Sequence, residues 1–445
     1  MLTTMLPCCR RLVERLHFQP TSSIGGACTR AKGIQTISSI FISSKQGRWI
    51  QDHGVVHNMY FNTTTLLKLP HKITLSESKW WDDGTLPLWI TAQHQGKKVA
   101  SFHYPGGNVT YGGEALYRSL GESLIHPDAN ETEWRINIDI VMEWFEKEDF
   151  DFVTLYYGEP DHIGHKTGPE TQERRDIIRQ IDRTIGYLID NIERHNLKEK
   201  LNVIITSDHG MTTIKKAPEV NEIRLSKFID FKNIKLELLD YGGFGMLLPK
   251  EGKTEEVYQA LKNAHPHLKV YKKEEFPERF HYSKNDRVLP ILVYGDLGYN
   301  VNGRIILYIN KGDHGFDNKE MDMKMIFRAF GPDFKSAYLS EPFDSVHIYP
   351  LMCKLIGVKP EPNNGSLMYT DGMLVDSFEN GLEKPEEPRT SDHPSSVIAL
   401  SAVLTFLVLI AIILVTYNAV KRNKRSKQGN PAQHTNACET SATPF

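Results

Sequence analysis

The chain has 445 residues, 40% of them apolar, and a formal net charge of −2. That length and composition suit one large domain or two ordinary ones and exclude a wholly disordered chain. The near-balanced charge gives no electrostatic argument for a nucleic-acid polymer as partner. Of Cys8, Cys9, Cys28, Cys353 and Cys438, only Cys353 falls in the region that reads as folded. No disulfide framework therefore supports that region, which leaves an extracellular location open without arguing for it.

Residues 1–50 differ from the rest of the chain. Arg10, Arg11, Arg15, Arg30, Lys32, Lys45 and Arg48 stand against the single acid Glu14, among many Ser and Thr. Without a long apolar segment after the basic residues, a secretory signal is not the expected reading. Three readings stay open: an organellar transit peptide, an unstructured leader, or a non-standard start. A globular segment is expected over 51–376. It carries the glycosylation acceptors Asn62, Asn108, Asn130 and Asn364, each in an Asn-x-Ser/Thr tripeptide.

Within that segment the pattern predicts a helix over Arg135–Lys147 and a strand over Phe150–Tyr157. Ile177, Ile178, Ile181, Ile185, Leu188 and Ile189 recur at helical spacing, so Glu173–His195 reads as an amphipathic helix with an apolar stripe. The run Leu201-Asn202-Val203-Ile204-Ile205-Thr206 reads as a buried, parallel strand. Alternation is irregular from Phe228 to Leu248. Next come a helix over Glu255–His265 and a strand over Leu289–Tyr294. Strand–helix alternation at these lengths predicts an α/β fold, a mostly parallel sheet covered by helices on both faces.

The Pro-, Glu- and Ser-rich stretch 377–395 reads as an exposed stalk. Residues 396–420 then run about as long without a charge as a bilayer core demands. Lys421, Arg422, Lys424, Arg425 and Lys427 come immediately after. The positive-inside tendency puts the tail 421–445 in the cytosol and the large domain outside. The expectation is a single-pass, membrane-anchored plasma-membrane protein.

Three stretches supply metal-type donors. Glu159-Pro160-Asp161-His162-Ile163-Gly164-His165 lies just after a predicted strand. Asp161 and His165 are four apart, so one helical turn brings both to one face, and His162 falls off it. Ser207-Asp208-His209-Gly210 ends the apolar strand, where open α/β sheets build their sites. Gly312-Asp313-His314-Gly315 is a Gly-flanked loop that lets a ligand come close to the backbone. Taken singly, Asp161 could close a turn and His314 satisfy a carbonyl. Together, Asp161, His165, Asp208, His209 and His314 are too many for one tetrahedral ion. They suit two adjacent ions, such as a pair of Zn²⁺ gripping the attacking and leaving oxygens of a phosphoryl transfer.

These stretches, with His53-Gly54-Val55-Val56-His57-Asn58-Met59-Tyr60 and Phe327-Arg328-Ala329-Phe330-Gly331-Pro332-Asp333-Phe334, resemble the motifs of the ectonucleotide pyrophosphatase/phosphodiesterase family. The likeness runs in the family's order from about Gly47 to Met373. It implies an alkaline-phosphatase-like α/β fold and two zinc ions, one held by Asp161, His165 and His314, the other by Asp208 and His209. It implies that Asn58 contacts the substrate phosphate, and that the activity is phosphodiester hydrolysis of the phospholipase C type. The implied substrates are phosphocholine lipids, chiefly sphingomyelin (giving ceramide and phosphocholine), then lysophosphocholine lipids. The choline group would sit on aromatic faces. Tyr104, Tyr156 and Tyr157 are near the right segments and equally suited to the core.

The family begins its domain with a strand ending in Asp-Gly-Phe and carries a threonine nucleophile before a Pro-x-His run. Neither occurs here, and Thr36 has no family signature around it. The expectation is a family domain short of its first strand and nucleophile segment, with no catalytic nucleophile assignable. Two alternatives stand beside it: a nucleotide pyrophosphatase of the same fold, and a catalytically dead membrane glycoprotein that binds lipid or protein.

Overall fold

The computed structural model describes residues 27–29, 46–121, 130–216, 218–239, 242–306 and 310–375. All of them belong to the first of two compact units, Met1–Phe378, and the second, Glu379–Phe445, lies outside them. In chain order the main elements are β1 (Ala27–Thr29), β2 (Val99–Phe102), β3 (Arg118–Leu120), α1 (Glu131–Glu148) and β4 (Phe152–Leu155). Then come α2 (Asp161–Thr167), α3 (Gln172–Arg194), β5 (Val203–Thr206), β6 (Ile234–Leu239), β7 (Phe244–Pro249) and α4 (Thr254–Lys262). The series closes with β8 (Leu268–Lys272), β9 (Ile291–Gly295), β10 (Asn300–Asn302), β11 (Gly312–Asp313), β12 (Met325–Phe330) and α5 (Ile348–Ile356).

Side-chain caps set the helix starts. Asn130 Oδ1 accepts from the backbone N–H of Thr132 at 3.0 Å and of Glu133 at 3.4 Å, which starts α1 four residues ahead of the apolar periodicity. Thr171 Oγ1 accepts from Arg174 N–H at 3.3 Å and starts α3.

The sheets are mixed, and this corrects the expected mostly parallel arrangement. β2 pairs in parallel with β3 and β4. The strand β5, read as parallel, pairs antiparallel with β12, whose other edge takes β1. The sheet β6-β7-β9-β8 is antiparallel throughout. A short return such as that between β6 and β7 can join only antiparallel neighbours, since a parallel pair needs a long crossover.

Helices do cover both faces around β5. Val203 joins one apolar cluster with Ile138, Val141 and Trp144 of α1 and Ile192 of α3. Its neighbour Ile204 joins another with Ile348 and Leu351 of α5. Successive residues thus point to opposite covered faces, as a two-faced strand requires.

The coverage is incomplete at the two strands that lead into the predicted ligands. Every residue of β4 and β5 is half-buried rather than buried, despite the sequences Phe-Val-Thr-Leu and Val-Ile-Ile-Thr. Among the described residues β4 pairs only with β2, and β5 only with β12, so each keeps one edge without a strand partner. Helix α3 shows the same. Its predicted apolar stripe, from Ile177 to Ile189, is half-buried, while Gln180, Thr184 and Asn191 are buried. Periodicity located the helix correctly; it could not say how much sheet lay beneath it.

Gln46 and Ile50 are buried at the start of residues 46–121, and Ala27–Thr29 add a strand to β12. Most of 1–50, the segment 377–395, the apolar run 396–420 and the tail 421–445 lie outside the described residues. No helix among the described residues is long and apolar enough to cross a membrane.

Strand edges without a partner exchange early, and among the described residues β4 and β5 each have one. Amide hydrogen exchange should proceed about 10-fold or more faster in β4 and β5 than in β7 and β9, which are paired on both sides. Equal protection in the two sets would contradict the open-edge description.

Candidate metal centre

The strand β4 leads through Glu159-Pro160 into α2, whose first residue is Asp161. Glu159 Oε2 accepts from Ile163 N–H at 3.0 Å and fixes the first turn. One turn on, His165 Nε2 lies 3.4 Å from Asp161 Oδ1. His165 Nδ1–H donates to the Gly312 carbonyl at 2.9 Å, which leaves Nε2 as the free donor facing Asp161. His162 is exposed, as its position on the helix implied.

At the end of β5, His209 Nδ1–H donates to the Gly210 carbonyl at 2.8 Å, and Nε2 faces Asp208 Oδ2 at 3.3 Å and Asp161 Oδ1 at 3.7 Å. His314 Nε2 lies 3.8 Å from the same Asp161 oxygen, and the His209 and His314 rings stack at 3.6 Å. The structure therefore gathers all five predicted ligands. Donor atoms of Asp161, His165 and His314 lie within 4.8 Å of one another, with Asp208 and His209 alongside.

Backbone bonds knit the ligand loops together. Lys311 N–H donates to the His165 carbonyl at 2.8 Å, and Ile214 N–H to the Lys311 carbonyl at 2.9 Å. β11 pairs antiparallel with Thr212–Thr213. Two glycines permit this approach. A Cβ on Gly312 would sit 2.5 Å from the Gly164 carbonyl oxygen, and one on Gly210 would sit 1.9 Å from that of Asp322. Asp322 also accepts from Thr212 Oγ1–H at 2.7 Å, bracing the loop beyond His209.

The electrostatics of the cluster call for a cation. Asp161 Oδ1 and His209 Nε2 are buried atoms without a hydrogen-bond partner among the described residues, and they face each other. Burial by itself pushes the His209 imidazole down. The Asp208 carboxylate beside it overrides that, with Asp161 and the bond to Gly210 adding to the effect, and raises it to about 9. A carboxylate oxygen ringed by imidazole nitrogens is a donor set for a divalent metal of the zinc type, and the residues present fit such an ion.

One buried acid beside the cluster has no role that sequence reasoning assigns. Asp313 accepts at Oδ2 from the Asn300 and Asn310 side-chain amides at 2.9 and 3.0 Å, and at Oδ1 from His314 N–H at 2.9 Å. Burial pushes its carboxyl up, against the pull of His165 and these donors. Its place beside His314 is visible in the chain, but its amide partners meet it only through folding.

Asn58 adjoins the buried His57, and its carbonyl lies 3.3 Å from His71 Nδ1. Tyr157 packs edge-on against Trp134 with ring centres 3.9 Å apart, and Tyr104 lies between Trp89 and Tyr156 at 5.9 and 6.5 Å. All three tyrosines are half-buried. Asn108, Asn130 and Asn364 are exposed, and half-buried Asn62 accepts from Thr64 and Thr65 N–H at 2.9 and 2.8 Å. Thr36 lies outside the described residues.

Loss of a direct donor should cost more than the roughly 10–100-fold lost with an outer partner. Asp161→Ala and His314→Ala should each weaken zinc uptake by more than about 100-fold in chelator competition, whereas His162→Ala should leave it unchanged. Equal affinities across the series would refute the donor set.

The sequence profile of the type I phosphodiesterase / nucleotide pyrophosphatase family matches residues 47–317. Ectonucleotide pyrophosphatase/phosphodiesterase family member 7 of Mus musculus is 58% identical over 321 residues, covering 72% of this chain and 73% of its own. Member 7 of Homo sapiens is 59% identical over 322 residues, covering 72% and 70%. The solved structure of murine ectonucleotide pyrophosphatase/phosphodiesterase 5 superimposes with a TM-score of 0.72 at 32% identity, over 79% of this chain and 92% of that one. The fold is accordingly the alkaline-phosphatase-like α/β fold that the motifs implied, with the mixed sheets described above. The chain belongs to the ectonucleotide pyrophosphatase/phosphodiesterase family of phosphoric diester hydrolases.

Proposed function

We propose that the chain is a zinc-dependent phosphodiesterase of the phospholipase C type, hydrolysing sphingomyelin to ceramide and phosphocholine and acting also on lysophosphocholine lipids. The observation that carries the chemistry is the buried Asp161 Oδ1 with His165, His209 and His314 nitrogens at 3.4–3.8 Å around it. The substrate class rests on the 58–59% identity to the two member 7 relatives.

In this reading Asp161, His165 and His314 hold one ion and Asp208 with His209 a second. Zinc bound there would polarise the phosphate and make an oxygen nucleophile available at neutral pH. The protein's share is orientation. The carbonyls of Gly312 and Gly210 fix the two Nδ1–H groups and so aim both Nε2 atoms inward. Asn58 would donate its amide to a phosphate oxygen. No described residue is assigned as nucleophile.

A second reading has support of its own. Murine family member 5, at 32% identity, has been solved in complex with AMP. A nucleotide pyrophosphatase on this scaffold would use the same ions. A membrane glycoprotein that binds lipid or protein without turnover is the third reading, and the lack of an assignable nucleophile among the described residues supports it. The full chain should release phosphocholine from sphingomyelin micelles and lysophosphatidylcholine, lose that activity on chelation and recover it with zinc. Cleavage of diadenosine triphosphate but not of sphingomyelin would favour the nucleotide reading. No turnover with bound zinc would favour the third.

We also place the domain on the outer side of the plasma membrane, anchored by 396–420, with the basic tail 421–445 in the cytosol. The uncharged run, the lysines and arginines after it and the Asn-x-Ser/Thr acceptors support this placement. On intact cells, glycosidase should shift the full chain to lower mass, through loss of glycans at Asn62, Asn108, Asn130 and Asn364. A chain of unmodified mass held inside the cell would refute it.

A further inference from the structure

Asp313 has a set of partners that a filler of space would not need. It is a carboxylate one residue from His314, with a side chain only 5% exposed. Its two oxygens face opposite ways. Oδ2 is held by two amides, Asn300 Nδ2 at 2.9 Å from β10 and Asn310 Nδ2 at 3.0 Å from the approach to β11. Oδ1 is turned to the metal cluster, where it accepts from His314 N–H at 2.9 Å and lies 3.7 Å from His165 Nδ1. One carboxylate thus bonds to the backbone of His314 and stands 3.7 Å behind the ring of His165, the two histidines that share the first predicted ion with Asp161.

From this geometry we infer that Asp313 is a positioning residue of the metal centre, locking His165 and His314 into one donor geometry from behind. The inference rests on the reading of the cluster as a metal site.

Three physical effects point the same way. The negative oxygen beyond His165 Nδ1–H favours the tautomer with that proton in place, together with the Gly312 carbonyl, so Nε2 keeps its lone pair for the ion. The bond to His314 N–H fixes the backbone from which the His314 ring projects. The two amides hold the carboxylate itself, so the frame reaches back to β10, which pairs with Glu222–Arg224. Asp313 touches neither an ion nor a substrate in this scheme, and its effect passes through the two histidines.

The test is metal affinity and spectrum of the full chain, with Asp313→Asn, Asp313→Glu, Asn300→Ala and the core control Val293→Ala. Zinc affinity is read by chelator competition, and donor geometry by the visible absorption of the cobalt-loaded protein. Asp313→Asn should lower zinc affinity by about 10–100-fold, the usual cost of losing an outer partner of a ligating histidine, and should change the cobalt bands. Asp313→Glu should restore part of both. Asn300→Ala should have a smaller effect of the same kind. Val293→Ala should lower the melting temperature, as any core truncation does, and leave cobalt bands and affinity unchanged.

Unchanged affinity and bands in Asp313→Asn would overturn the inference while leaving the metal site standing. So would an equal loss in Val293→Ala, which would reduce Asp313 to a fold-stabilising role. A wild-type chain that takes up neither zinc nor cobalt would refute the reading of the cluster itself, and the inference with it.

Discussion

One carboxylate oxygen, Oδ1 of Asp161, sets the terms for the rest of the site. It is buried without a hydrogen-bond donor among the described residues, and imidazole nitrogens of His165, His209 and His314 surround it at 3.4–3.8 Å. A buried charged acceptor left unsatisfied costs on the order of 1–3 kcal/mol or more. At about 4 Å and an effective dielectric of about 20, one unit charge of opposite sign contributes about 4 kcal/mol. A cation therefore more than offsets the cost of the arrangement, and a divalent one does so at shorter range. The carboxylates act on the neighbouring imidazole in the same sense: Asp208, with Asp161 adding to it, raises His209 to about 9 against the effect of burial.

That oxygen is useful only if the loops around it stay still. The structure achieves this with backbone bonds between the loops, reinforced by side-chain bonds behind them. The carbonyl of His165 is tied to Lys311, the carbonyl of Lys311 to Ile214, and β11 to Thr212–Thr213. Gly312 and Gly210 allow those approaches because a Cβ at either would collide with a carbonyl oxygen. Behind them the Asp313 and Asp322 carboxylates brace the loops that carry His314 and His209. The strands that deliver Asp161 and Asp208 are, by contrast, half-buried, and among the described residues each has a strand partner on one edge only. Rigidity here comes from loop-to-loop stitching, not from the depth of the sheet beneath.

Much of this was legible in the chain. Asp161 and His165 could be paired because four residues make one helical turn. Asp208-His209 stood out because a β-branched run stops there. His314 stood out because its loop is flanked by glycines. What could not be read were relations between distant segments. The direction of β5 depended on β12, more than a hundred residues on, and an apolar run carries no sign of its partner's direction. The stripe of α3 marked a helix, but not how deeply its apolar residues would be buried. Asp313 was visible beside His314, yet its function depends on Asn300 and Asn310, which carry no pattern linking them to it. Asn58 was identified from its motif alone, and in the fold its carbonyl lies against His71.

The central claim is that Asp161, His165 and His314, with Asp208 and His209, form the first coordination sphere of zinc. X-ray absorption at the zinc edge of the metal-loaded full chain addresses this directly. It should show a shell of nitrogen and oxygen at about 2.0–2.2 Å with the multiple scattering of imidazole and no sulfur shell at about 2.3 Å. Zinc bound without imidazole scattering, or zinc that washes off entirely, would contradict the account.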